Sequence, residues 1–172
     1  MLRRLEVRVA LIVLMALGLT ACATVQKLPA ANDVHALLIS IRDEDEATFD
    51  SLVDRPALQR EIADRLAAEG AKDKRYGALA SILAPGLAQL AGDSLIRPSV
   101  FRAVAEHYGY TAQTKIPNVL EISQALRQLP DGRVCAITKK DGPCLLDFTK
   151  APDGHWKLSG FEGSTSMLRL KH

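Results

Sequence analysis

Apolar residues along this chain follow three successive patterns. The first is an unbroken run, Val9 to Leu19, eleven residues without a charge. From residue 34 the spacing becomes helical. Val34, Leu37, Leu38 and Ile41 sit at i, i+3, i+4 and i+7, with Asn32 or Asp33 placed as the N-cap. The acidic run Asp43-Glu44-Asp45-Glu46 interrupts, and a short second helix then turns Phe49, Leu52 and Val53 inward. Pro56 opens a third helix, in which Leu58, Ile62 and Leu66 recur every fourth residue and Gly70 supplies the stop. Tyr76, Leu79, Leu83, Leu87 and Leu90 continue a helical pattern that Pro85-Gly86 must kink or split. A further helix starts at Pro98 and buries Val100, Phe101, Val104 and Tyr108 before Gly109.

Beyond Gly109 the period shortens. Arg133 to Thr138, Cys144 to Thr149 and His155 to Phe161 are short β-rich runs, separated by the turn sequences KKDGP and KAPDG. Alternation sets Cys135 with Ile137 on one face, Cys144 with Leu146 and Phe148, and Trp156 with Leu158, so one side of an antiparallel sheet is expected to be buried. Residues 118–129 fit two descriptions. Val119, Ile122, Leu126 and Leu129 suit a helix that Asn118 and Glu121 would open as a capping box. A strand completing a four-stranded sheet fits almost as well. Helices first and a meander afterwards make the fold class α+β, an N-terminal helical layer followed by three or four strands.

The first run changes meaning with its flanks. Arg3, Arg4 and Arg8 precede it, and Thr20, Ala21, Cys22 and Ala23 follow it. Basic, apolar and small segments in that order describe a secretory signal, and a membrane span would need roughly 20 apolar residues. Leu19-Thr20-Ala21-Cys22 also resembles the bacterial lipobox, in which cleavage before the cysteine leaves it lipidated. An ordinary signal peptide and an uncleaved anchor are the other readings. The expected organisation is therefore a signal peptide over 1–21, lipidated Cys22 with a tether to residue 31, and a single domain over 32–172. Ala23 in place of the retention residue Asp points to the outer membrane, periplasmic face. Residues 1–21 hold three Arg and one Glu; removing them from 22 basic and 20 acidic side chains leaves 19 of each. The pI of 8.5 thus comes from the discarded segment and does not argue for a nucleic-acid partner.

With Cys22 committed to lipid, two cysteines remain in an oxidising compartment, and a Cys135–Cys144 disulfide is expected. A turn at Asp141-Gly142 would set Cys135 opposite Phe148, a turn at Lys139-Lys140 would set it directly opposite Cys144, and a wider KKDGP loop or a bulge would allow a diagonal approach. Other chemistry is sparse. His35, His107, His155 and His172 stand in no ligand spacing, and Glu106-His107 diverge by about 100° on a helix. Gly163-Ser164-Thr165-Ser166 carries hydroxyls without a nearby base. The acidic run reads as a solvated turn supporting the next helix rather than a cation site. No cofactor, metal or catalytic residue is expected. Paired carboxylates for a hydrolase would converge only in the fold.

In Arg42 to Asp45, Val53-Asp54, Pro56-Ala57-Leu58, Leu95-Ile96, Pro98 and Trp156-Lys157-Leu158, the chain resembles the domain of unknown function 2939 family over roughly residues 33–161. That resemblance implies a fold and an envelope address, without an activity. Two functions are expected from it and from the residues together. One is a non-enzymatic accessory or interaction domain, held at the membrane by its lipid and facing envelope protein partners. The alternative is a carrier, cystatin- or NTF2-like, for a small apolar ligand held between helices and sheet.

Overall fold

The computed structural model describes residues 27–72 and 92–161, together with residues 86, 89 and 90. Residues 1–21, Cys22, most of the 76–90 pattern, Gly163 to Ser166 and His172 lie outside them. Helix α1 runs through residues 27–43. The expected tether is therefore helical from residue 27, and Ala30 and Ala31 are fully buried in the core. Small side chains let the helix approach its neighbours closely, which the polar flanks of the segment concealed. The helix ends at Glu44, whose φ of 55° lets the Asp45 N–H reach the Ser40 carbonyl at 2.9 Å. This is a Schellman stop with glutamate where glycine is usual.

Asp45 caps helix α2 (Glu46–Ser51), accepting from the Thr48 N–H at 3.1 Å. Asp54 caps α3 (Arg55–Ala71) in the same way, from the Ala57 N–H at 3.0 Å. Gly70 lies inside α3 and does not stop it. Leu58 is buried, whereas Leu66 stays 41% exposed. Helix α4 (Pro98–His107) closes as expected on Gly109, at φ 88°, with Tyr110 N–H to Ala105 O at 2.9 Å. Its inward face is narrower than expected. Phe101 packs edge-on against Phe49, 5.3 Å between ring centres, while Val104 and Tyr108 are 43% and 56% exposed.

Both readings of residues 118–129 are realised in succession. Helix α5 (Val119–Gln124) carries both hydrogen bonds of the Asn118–Glu121 capping box. Strand β1 (Leu126–Gln128) then pairs with β2 (Val134–Ala136), followed by β3 (Leu146–Lys150) and β4 (Trp156–Phe161), in the order β1-β2-β3-β4, all antiparallel. Pro-Asp-Gly turns join the first and last pairs, with Gly132 and Gly154 at φ 85° and 90°. Only glycine holds that conformation without strain. The core lies between the helices and one sheet face. Phe49, Leu52, Val53, Leu58, Ile96 and Ile122 meet Leu126, Val134, Phe148, Trp156 and Leu158 there. Residues 52–54 also run along the free edge of β4, with Asp54 N–H to Leu158 O and Leu158 N–H to Leu52 O, each 2.9 Å. Arg65 of α3 lies 4.4 Å over the Phe161 ring and donates to the Phe161 carbonyl.

Candidate functional site

Strand register decides what gathers on the other sheet face. Arg127 stands opposite Cys135, and Cys135 opposite Asp147, so these three side chains share a face with Val134 and Phe148 pointing the other way. Cys135 is therefore not on the helix-packed side, and Cys144 falls outside β3 altogether. The wide loop is the arrangement adopted. It turns at Lys139 to Gly142 (Gly142 N–H to Lys139 O, 2.8 Å) and rejoins the sheet where the Leu145 N–H meets the Ala136 carbonyl. Cys144 closes that loop through a disulfide to Cys135, with the Cα atoms 5.4 Å apart.

The folded-over loop buries what the strands project. Cys135 is fully buried, Cys144 nearly so, and Asp147 only 4% exposed. Two guanidinium groups reach into this cluster. Arg127 donates to the Gly142 carbonyl at 3.0 Å and to Cys144 Sγ at 3.2 Å. Arg133 donates to Asp147 Oδ2 at 3.2 Å and to Asp131 Oδ2 at 2.8 Å. The Arg133 side chain, followed by its backbone N–H, holds the Asp131 carboxyl below the usual carboxylate range. The sulfur atoms and the Asp147 carboxylate lie within 4.8 Å of one another. A nearby hydroxyl pair, Thr149 and Ser159 at 2.8 Å, extends the polar face toward β4.

On the helix side, an open apolar cavity of about 560 Å³ lies between α1, α5 and β1. Val34, Leu38, Pro117, Ile122, Ala125 and Leu126 supply its walls, and Lys115 and Glu121 its polar positions. Its size falls within the range of small-molecule sites.

The other sequence candidates have local roles. His155 Nδ1 sits 3.1 Å from Asp33 Oδ1, and Asp33 Oδ2 accepts the Trp156 N–H at 2.7 Å, tying α1 to β4. His107 stacks edge-on to Tyr108, and Glu106 pairs with Arg102 at 3.0 Å instead of with its neighbour. His35 lies on α1, half-buried. Each member of the acidic run has a separate use: Asp43 pairs with Arg42, Glu44 with Arg102, Asp45 caps α2, and Glu46 occupies its first turn. Arg127, Arg133 and Asp147 were not among the candidate site residues of the sequence. A charged residue inside the β-rich run from Cys144 to Thr149 was the available signal.

A helical layer on one face of a four-stranded meander, and a disulfide-closed polar cluster on the other, define a small α+β domain. The chain belongs to the family described as "Protein of unknown function (DUF2939)", whose model matches residues 13–104. The match starts inside the N-terminal apolar run and ends within α4, so the sheet and its cluster lie beyond the matched span, shorter than the likeness expected from the residues. Neither the curated proteins nor the solved structures contain a match to this chain.

Proposed function

We propose that this chain is a lipid-anchored domain of the bacterial envelope, working without catalysis and presenting its folded surface to periplasmic protein partners. The observation that carries this reading is the Cys135–Cys144 bond, because such bonds persist in oxidising compartments and are rare in the cytosol. The basic, apolar and small-residue order of residues 1–22 supports it independently. Among the described residues no helix is long and apolar enough to cross a membrane; the N-terminal run lies outside them. In this reading Cys22 carries the anchor, where more than one acyl chain gives stable attachment and a single chain is marginal. Intact mass and metabolic acyl labelling test the proposal. The mature chain should begin at Cys22 and carry lipid, and Cys22→Ser should accumulate unlipidated. A wild-type mature chain without acyl groups would end it.

The apolar cavity supports a second reading, a carrier for a small apolar molecule. Native mass spectrometry of protein extracted from cells should then show co-purifying ligand mass, and Ala125→Trp, which fills the cavity, should abolish it. Ligand-free protein that cross-links to envelope partners would favour the accessory role.

A further inference from the structure

We infer that the reduced form of this chain holds a thiophilic divalent cation, with Cys135, Cys144 and Asp147 as ligands. The inference concerns the sheet cluster and stands whether or not the chain is exported. In the bonded form the two sulfurs are taken up by each other. A dithiol reductant transfers two electrons and two protons to them, becoming a disulfide itself and leaving two thiols. Those thiols are released beside a carboxylate: in the bonded form both sulfurs and the Asp147 carboxylate already lie within 4.8 Å of one another. Zinc with sulfur at about 2.3 Å and oxygen at about 2.0–2.2 Å needs tetrahedral ligand atoms roughly 3.5–3.8 Å apart. The bonded sulfurs must part to that separation once reduced, and the carboxylate oxygen must close by at most about 1 Å.

The backbone is suited to it. Cys135 and Asp147 are opposite one another on paired strands, so their spacing is held by the sheet. Cys144 ends a loop outside the strands and is the ligand free to adjust. Charge is suited as well. Two thiolates and one carboxylate exceed a divalent cation by one negative charge, and two guanidinium groups already donate to the ligands. Arg127 reaches Cys144 Sγ and Arg133 reaches Asp147 Oδ2, each at 3.2 Å. Outer hydrogen bonds of this kind orient ligands and tune the metal. On binding, each thiol releases its proton to solvent. Three protein donors leave one tetrahedral position for water or an exogenous ligand, the pattern of an exchangeable site rather than a closed structural one.

Cobalt titration of the full chain in a Cys22→Ser background tests the assignment, with a phosphine as reductant. The reduced protein should take up one equivalent with an intense thiolate-to-cobalt charge-transfer band, displaced by zinc, and the oxidised protein should show none. Asp147→Asn and Arg127→Gln should each weaken binding by about tenfold or more. Zinc should raise the melting temperature of the reduced protein and leave that of the oxidised protein unchanged. Absence of the band in reduced protein overturns the inference. So does a band indifferent to both substitutions, as two cysteines in an unstructured chain would give, or a reduced chain whose melting zinc does not move.

Discussion

Glu44 shows how a single residue can be tolerated against its own backbone preference. Its left-handed conformation costs about 1 kcal/mol relative to glycine, and its exposed bridge to Arg102 returns less than that. Glu44→Gly should therefore stabilise the fold by about 0.5 kcal/mol, read as a higher urea midpoint; a lower midpoint would show that the Arg102 bridge dominates. The neighbouring Asp45 is the opposite case. Asp45→Ala removes a helix cap and should lower the urea midpoint, whereas Asp43→Asn with Glu44→Gln should change stability only slightly. Acidification acts on the same residues. Thr48, through its hydroxyl and then its backbone N–H, lowers the Asp45 pKa; the Arg42 side chain does so for Asp43, and the Lys157 side chain, then the His155 N–H, for Asp153. A depressed folded pKa contributes stability that is present above the unfolded value of about 3.9 and lost as pH falls through it toward the folded one. The urea midpoint should therefore drop between pH 5 and pH 3, and less steeply in Asp45→Asn with Asp153→Asn. Equal slopes would remove these carboxylates from the explanation.

Elements were legible in proportion to how local their causes are. The capping box at Asn118 and the Pro-initiated starts of α3 and α4 rest on residues three or four apart, and each appears where its sequence signal lies. Burial was less legible, because it depends on what arrives from elsewhere: Val104 and Tyr108 have the right spacing but no covering layer among the described residues. Residues 27–31 failed for the converse reason, two alanines being too small to mark a buried face. The Pro130-Asp131-Gly132 turn was a missed signal. It repeats Pro152-Asp153-Gly154, and reading it as a hairpin would have ended α5 early and placed β1. The disulfide was anticipated, but its sheet face depended on loop width, which the turn residues do not determine. Closing about ten residues should stabilise the fold by roughly 2.7 kcal/mol in the chain-entropy model. Reduction without metal should thus lower the melting temperature by several degrees. An unchanged value would mean that the loop stays as well ordered without the bond.

For the molecule as a whole, the joints between the helical half and the sheet are few and specific. Asp33 is one: Asp33→Ala would leave the Trp156 N–H unmatched and should cost about 1–3 kcal/mol, with Asp33→Asn recovering part of it. Hydrogen exchange at Trp156 would report the loss directly, and unchanged protection would discount the joint. The run of residues 52–54 along β4 is another, joining points more than a hundred positions apart. It imposes an order in time. The hairpins of the meander join strands that follow one another in the chain and can form as soon as those strands meet, whereas the segment between α2 and α3 lacks its strand until the last part of the domain has been delivered. A chain that emerges from its N-terminus must therefore keep Leu52 and Val53 without their β4 partner through most of its synthesis. In pulse-labelled refolding, the β2–β3 amides should gain protection before those of Leu158 and Asp54, and a chain ending before Trp156 should be captured by holding chaperones with its helical half still open.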